Sequence, residues 1–485
     1  MAHFTVTKVE TSNEIDEVDG TGTTTSKPLS RLTRWFRSPL FNVIVVGFIA
    51  FTQVGIFSAL SATGAGGQQK PQLVHGANSI TYGIMTVGCS IFSILANKFG
   101  IKRVLILGTL GFAPYSASLY IFNRYGIEWF VYVGGVLCGL GASAYWAAEG
   151  AIAIGYADVK DRGKYTGIWL GLRELGLLVG SSIQLSLNIK NEKRGKVSYT
   201  TYIVLITLQC LGLPLALLVS PPDKVICSDG RKLAGASRDT SIMVGIRKYW
   251  KLLKRKQMYL LIPILVGFSW NVSYLGIYQT SYFSVRARTL NALATGVVAS
   301  CADVVWGRIF DLKSVSRPKL AKFTWAFFSI GMLGVFSFQV TNEKFFSSIS
   351  PKVTLDWNQP EFLRGFASMM CLRFFNESHF MFVYWIVGTF FDDLETLTLA
   401  VGIIRSFESI GACLSFSIST SKTPPMTNLI IAFVMFCITI PATSWAVCLV
   451  PKRPESDRVV EASSDTIGTP LRKDEPVTTE IEAQR

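Results

Sequence analysis

Charge is scarce in this chain of 485 residues. Asp, Glu, Lys and Arg make up 16% of it and hydrophobic residues 49%, too few ionised side chains to cover a water-soluble body of this length. Histidine occurs three times. The nine cysteines form no CxxC pair and no Cys/His cluster, which argues against a zinc site or a disulfide framework. There is no Gly-x-x-x-x-Gly-Lys-Ser/Thr segment to cradle ATP, so an ATP-driven pump is not indicated. HExxH and Gly-x-Ser-x-Gly are missing as well. No metal, cofactor or catalytic group is therefore expected, and the chain does not read as an enzyme. The net charge of +15 suggests nucleic acid at first sight. The placement of the basic residues, in short loops between apolar runs, fits membrane orientation instead.

What the chain has in abundance is apolar runs near twenty residues long. Residues 41–60 (FNVIVVGFIAFTQVGIFSAL) carry no charge. A bilayer core about 30 Å thick is crossed by about 20 helical residues. Inside it every backbone N–H and C=O must be satisfied within the segment, which makes each run a helix. Spans are expected near 40–62, 77–96, 104–122, 129–156, 165–187, 200–219, 259–282, 292–310, 320–340, 365–391, 398–419 and 427–449. The fold class is thus an all-α polytopic membrane protein of about 12 transmembrane helices.

Residues 1–39 form a polar tail ending in a basic aromatic stretch, Arg31, Arg34, Trp35, Phe36 and Arg37, suited to an interface anchor. Lys98, Lys102 and Arg103, then Lys160, Arg162 and Lys164, then Lys313, Arg317, Lys319 and Lys322 fall in alternate loops. By the positive-inside rule these loops and both termini are cytoplasmic. The loop with Lys190, Lys193, Arg194 and Lys196 runs against the trend. Residues 220–258 divide the spans into six (40–219) and six (259–450), and 451–485 form a charged tail. The linker's second half, IRKYWKLLKRKQM, spaces Ile246, Tyr249, Trp250 and Leu253 at helical intervals among basic residues. Two readings fit: a helix on the anionic inner leaflet, or an extension of the seventh span. The host membrane, plasma membrane or an endomembrane, is left open.

Two six-span halves joined by a basic linker resemble the major facilitator superfamily, whose substrate site lies at the midplane between halves. The stretch Ser93-Ile-Leu-Ala-Asn97-Lys98-Phe-Gly100-Ile-Lys102-Arg103 is similar to that superfamily's Gly-x-Leu-Ala-Asp-Arg-x-Gly-Arg-Arg loop. Gly307-Arg308-Ile-Phe-Asp311 resembles its counterpart in the second half. The resemblance makes Asn97, Gly100, Lys102, Arg103, Gly307, Arg308 and Asp311 candidate parts of a cytoplasmic latch. Longer stretches resemble the Unc-ninety-three-like family within that superfamily, its fungal members in particular. Gly139-Leu-Gly141-Ala-Ser-Ala-Tyr-Trp146-Ala-Ala-Glu149-Gly150 resembles the family's fourth span, and Tyr282 to Asn291 its outward loop after the seventh. Tyr384-Trp385 with Gly388, and Gly402 to Ala412, fit its tenth and eleventh. Glu149 and Glu408 depart from it, standing where the family commonly has Gln. The resemblance implies a transporter or an ion-channel regulatory factor.

An ionisable residue at the bilayer centre costs about 2.5–3.5 kcal/mol on insertion scales, so it faces a cavity or a partner. Glu149 is one case: a proton or cation site, or a structural ion pair. Arg173 and Glu174 are adjacent, so their side chains diverge by about 100° around the helix and are not expected simply to neutralise each other. Arg173 is a candidate partner for Glu149. Arg373 and Glu377 (i,i+4) and Arg405 and Glu408 (i,i+3) are spaced as local pairs. Asp303 is an isolated acid, a coupling site or a packing partner for a base. His379 reads as a hydrogen-bonding packer. Asn271, Gln53, Gln184, Gln279 and Asn376 either line a cavity or bridge helices. The expected function is a secondary transporter moving a small solute, with proton coupling at the buried carboxylates. The alternative is a regulator or escort that binds other membrane proteins.

Overall fold

A computed structural model describes residues 14–18, 24–28, 30–62, 70–157, 161–189, 197–226, 241–312, 314–349, 354–391, 393–421 and 423–452. Lys160, Lys190, Lys193, Arg194, Lys196, Lys313 and most of both tails lie outside them. Among the described residues ten helices are long and apolar enough to cross a membrane: α1 (Pro39–Ser61), α2 (Pro71–Phe99), α3 (Ile101–Tyr125), α4 (Trp129–Gly155), α6 (Tyr199–Leu218), α7 (Lys256–Tyr282), α8 (Val285–Phe310), α9 (Arg317–Ser348), α11 (Leu394–Thr420) and α12 (Pro425–Cys448). Two more, α5 (Arg162–Asn188) and α10 (Phe362–Phe390), are as long but less apolar. Those two carry Arg173, Glu174, Arg373 and Glu377. Side chains such as Phe323, Ile330, Leu363 and Ile438 are exposed around the bundle, as a lipid-facing surface requires.

The chain is a multi-pass membrane protein of two six-helix halves. Across the halves α2 packs along α11 and α5 along α8. The α2–α11 pair is antiparallel: Ser79 Oγ lies 2.6 Å from Ser417 Oγ at one end, and Asn97 Nδ2 donates to the Glu395 carbonyl (3.1 Å) at the other. Small residues set the α5–α8 distance. A Cβ on Gly163 would lie 2.8 Å from the Gly307 carbonyl, and one on Gly167 2.9 Å from that of Asp303. Side chains there would push the backbones apart. The same device joins α1 to α5, where a Cβ on Gly55 would sit 2.5 Å from the Arg173 carbonyl. Here α1 contains a π-helical turn, Phe51–Gly55.

Both ends of the bundle's chain lie at one end, hereafter the termini end. The Ile226 N–H donates to the Arg37 carbonyl (3.0 Å), and Lys256 at the start of α7 lies over the Trp445 ring near the end of α12. The short helix Arg31–Phe36, capped by Ser30, leaves Leu32 and Trp35 exposed there.

Several boundaries differ from expectation. Helix α8 starts at Val285 rather than 292, because Ser284 caps it by accepting from the Ala287 N–H (3.1 Å). The segment Tyr282–Asn291 is therefore mostly helix. Helix α9 runs to Ser348, past 340, because Asn342 and Glu343 are buried, with Glu343 accepting from the Tyr282 hydroxyl (2.8 Å). The linker helix, Ile242–Leu253, is separate from α7, since the chain turns at Lys254–Arg255. It does not simply rest on lipid. Tyr249 and Leu252 are buried, and the Tyr249 hydroxyl lies 2.6 Å from Ser90 Oγ, which is 2.7 Å from Ser406 Oγ on α11. A two-stranded hairpin, β1 (Glu14–Val18) with β2 (Thr24–Pro28), lies in the N-terminal tail and was not foreseen.

Candidate functional site

A buried charge network joins the halves at mid-span. Arg173 Nη2 pairs with Glu377 on α10, and its Nε donates to Glu174 Oε1 (3.0 Å). Arg373 Nη2 donates to Glu174 Oε2 and lies 3.2 Å from Glu377 Oε2. Two arginines and two glutamates thus alternate across the α5–α10 boundary with no net charge. The local Arg373–Glu377 pair exists, as spacing predicts, but it is one edge of a four-residue ring. Two expectations are corrected. Arg173 pairs with Glu377 and Glu174, not with Glu149. And the neighbours Arg173 and Glu174 do meet, because a guanidinium on a long side chain can fold back over its own helix where the helical-wheel angle of the Cβ atoms suggests divergence.

Glu149 is fully buried and accepts from the indole N–H of Trp169. Earlier on the same helix Gly139 faces Thr81 and Ile84 of α2, and Gly141 faces Gly111 of α3. Arg405 and Glu408 form the local pair (2.8 Å). The Arg405 guanidinium also sits 3.5 Å from the Trp146 ring centroid and 4.4 Å from that of Phe380, a cation–π box whose other tenant is Arg173, 4.6 Å from Phe380. Asp303 is fully buried, and neither carboxyl oxygen has a hydrogen-bond partner among the described residues. It lies within electrostatic range of Arg173, Glu174, Arg373 and Glu377. His379 is a packer: its Nδ1 lies 2.7 Å from the Phe375 carbonyl, among Phe268, Phe328 and Trp325. Asn271 is buried within α7, and Gln53 bridges α1 to the Gln209 carbonyl (2.6 Å).

On the side of this network away from the termini lies a cavity of about 190 Å³ between the halves. Helices α1, α2 and α5 of the first half and α7, α8, α10 and α11 of the second line it. Of the expected residues, Arg373, Gln279 and Asn376 reach it. Sequence reasoning missed His75, Asn78, Tyr82 and Phe416. These polar and aromatic groups carry no charge and so raise no insertion cost to notice. The signal for three of them was a shared α2 face, since His75, Asn78 and Tyr82 are spaced by three and four, while Phe416 on α11 had none.

At the termini end the halves are closed. Asp311 accepts from the backbone N–H groups of Gly163 (2.9 Å) and Lys164, capping α5 from the opposite half. Burial pushes the Asp311 carboxyl above the ordinary aspartate value against the pull of those two donors. Arg162 donates to the carbonyls of Gly388 and Phe391 (2.9 Å). Lys248 of the linker helix reaches Glu395 (2.7 Å). Of the other latch candidates, Asn97 and Gly307 bridge the halves. Gly100 ends α2 with φ +97°, open only to glycine at little cost. Lys102 instead donates to the Leu217 carbonyl of its own half (2.8 Å), and Arg103 and Arg308 are exposed. At the far end Asp356 accepts from Arg286 Nε (2.8 Å) and the Ser284 hydroxyl (2.7 Å).

A family model described as "Ion channel regulatory protein UNC-93" matches residues 75–330. The chain is 27% identical over 417 residues to "Notoamide biosynthesis cluster protein O'" of Aspergillus versicolor, covering 86% of this chain and 88% of that protein. It is 26% identical to "UNC93-like protein 1" of Arabidopsis thaliana over 437 residues, 87% of this chain and 93% of the relative. Among solved structures it is similar to the E. coli fucose:proton symporter FucP (TM-score 0.56, 10% identity, 84% of this chain and 98% of that one). It is similar also to the E. coli xylose transporter XylE in a partially occluded inward open conformation (TM-score 0.55, 13% identity, 87% and 98%). At such identities the likeness is one of fold, that of the major facilitator superfamily.

Proposed function

The chain belongs to the UNC-93 family, and on that premise we propose that it is a proton-coupled secondary transporter of a small solute. The observation that carries this reading is the cavity between the halves, closed at the termini end by Asp311, Arg162 and Asn97 and floored by the charge network. Rocking the halves about that floor would expose the cavity to each side in turn. The basic residues Lys98, Lys102, Arg103, Arg308, Lys319 and Lys322, with those of the linker helix, crowd the termini end. By the positive-inside rule that end is cytoplasmic, so the cavity faces the opposite compartment. Asp303 is the proton site in this reading. The charges that act on it, Arg173 and Glu174 on α5 and Arg373 and Glu377 on α10, form the ring that ties the halves. An ionised Asp303 competes with Glu377 for Arg173, and a protonated one releases it.

The test needs no substrate. Fluorophore pairs are placed across α5–α8 at the termini end and across α1–α7 at the other, and single-molecule distances are followed in nanodiscs. Alternating access predicts anticorrelated opening with a pH dependence that Asp303→Asn removes. Fixed distances at every pH would refute it. The family model's description favours a second reading, a regulator of other membrane proteins. It predicts fixed distances together with a stable membrane-protein partner on affinity purification.

A further inference from the structure

The cavity's lining specifies a ligand class, an inference that rests on the transporter reading. Several of its polar groups have no hydrogen-bond partner among the described residues. His75, 3% exposed, has no hydrogen-bond partner on either ring nitrogen among the described residues, nor do Gln279 Oε1, Asn376 Oδ1 and Arg373 Nε. Buried polar groups left unpaired cost stability, so these mark places where a ligand's polar atoms fit. They offer donors and acceptors together. Asn78 adds to them, its Oδ1 already taken by the Tyr115 hydroxyl (2.7 Å) and its amide N–H groups available as donors.

Charge narrows the class further. Among the described residues Arg373 is the one ionised side chain on the wall, and Glu174 and Glu377 already neutralise it. An anion gains no uncompensated cation here, and a cation meets no free carboxylate. Shape and polarity narrow it again. Tyr82 and Phe416 stack face to face, their centroids 5.6 Å apart and planes 10° from parallel, and Phe57, Leu177, Leu275 and Met369 complete an apolar wall. A polyol would leave that wall without a match, whereas a flat apolar ring would cover it. We propose that the cavity takes a small uncharged amphipathic molecule, its planar face toward Tyr82 and Phe416 and its amide-like edge toward Gln279, Arg373 and Asn376.

Benzamide, benzoate and benzamidine are nearly the same shape and differ in charge, and D-xylose is an uncharged polyol. All four are offered to the purified full chain and read by saturation-transfer NMR. The cavity is blocked by Gly276→Phe, because a Cβ at Gly276 meets only His75 Cε1 at 3.8 Å and so points into open space. The expected result is saturation transfer to benzamide alone, lost in Gly276→Phe and weakened about tenfold in Asn376→Leu. Transfer to benzoate, benzamidine or xylose equal to that of benzamide, transfer unchanged by Gly276→Phe, or no transfer to any of the four would overturn the assignment. The anticorrelated distance changes proposed above do not depend on the probe. If they occur without benzamide binding, the ligand class falls and the transporter reading stands.

Discussion

Replacing Asp311 by Ala removes a helix cap that the second half supplies to the first. In the closed termini end its carboxylate accepts from the N–H groups of Gly163 and Lys164, at the second and third positions of α5. Asp161, the residue at the N-cap position of that helix, makes no side-chain cap of its own. Loss of an N-cap side chain costs about 0.5–2 kcal/mol. Burial lifts the Asp311 carboxyl above its ordinary value, so part of the cap's gain is already offset by desolvation, and about 1 kcal/mol is the better figure. The cap exists only while α5 and α8 touch at this end. Its loss therefore shifts the closed-to-open equilibrium by about fivefold toward opening, since 1.4 kcal/mol is about tenfold. Asp311→Asn, which keeps an acceptor, should fall between. The assay is the single-molecule distance across the ends of α5 and α8, with exposed Arg308→Ala as a control. A carboxyl with a raised value in the closed state takes up protons on closing, so closing gains as pH falls toward the ordinary aspartate value, and this gain vanishes in Asp311→Asn. An unchanged equilibrium in Asp311→Ala, or a shift toward closure, would refute the reasoning.

Two further outcomes are expected. Glu377→Gln leaves Arg173, 7% exposed at its side chain, sharing Glu174 with Arg373, and should cost about 3–5 kcal/mol of stability. The double variant Arg173→Leu/Glu377→Leu, which removes both charges and keeps the Arg373–Glu174 pair, should recover most of it. Thermal unfolding decides, and a single-variant loss under about 1 kcal/mol would count against a buried ring. At the far end, burial alone would raise Asp356, but the hydrogen bonds from Arg286 and Ser284 more than offset it and hold its carboxyl below the ordinary value of 3.8. Its clamp between the α7–α8 and α9–α10 connections is therefore intact above that pH and lost as pH falls through the lowered value. Hydrogen exchange at the Ser284 and Leu355 amides, which close this connection, should rise relative to neighbouring amides below about pH 4 only while Arg286 is present.

How far the sequence could be read depended on the distance over which each feature acts. Hydropathy is summed within one segment, so the apolar runs located every long helix among the described residues, α5 and α10 included, although their charges weaken the signal. Boundaries were less legible. Arg286, Arg288 and Asn291 looked like loop residues before α8, and only the cap at Ser284 and the Asp356 partner across the far end make them helical. Glu343 drew no notice because it lay beyond the expected end of the ninth span. The pairs at i,i+3 and i,i+4, Arg405–Glu408 and Arg373–Glu377, were legible because helix geometry alone brings them together.

By itself the sequence determined that lipid surrounds this chain, how many long apolar segments it has, and that the charges inside those segments must be buried, because those follow from local composition and the cost of unsatisfied groups in hydrocarbon. Tertiary structure decided which charge answers which. Arg173 meets Glu377 across 204 positions of sequence and Asp311 caps a helix 147 and 148 positions earlier, and the cavity forms where seven helices converge. Such encounters are set by how close small residues let two helices come, a property of pairs of segments that neither segment carries alone.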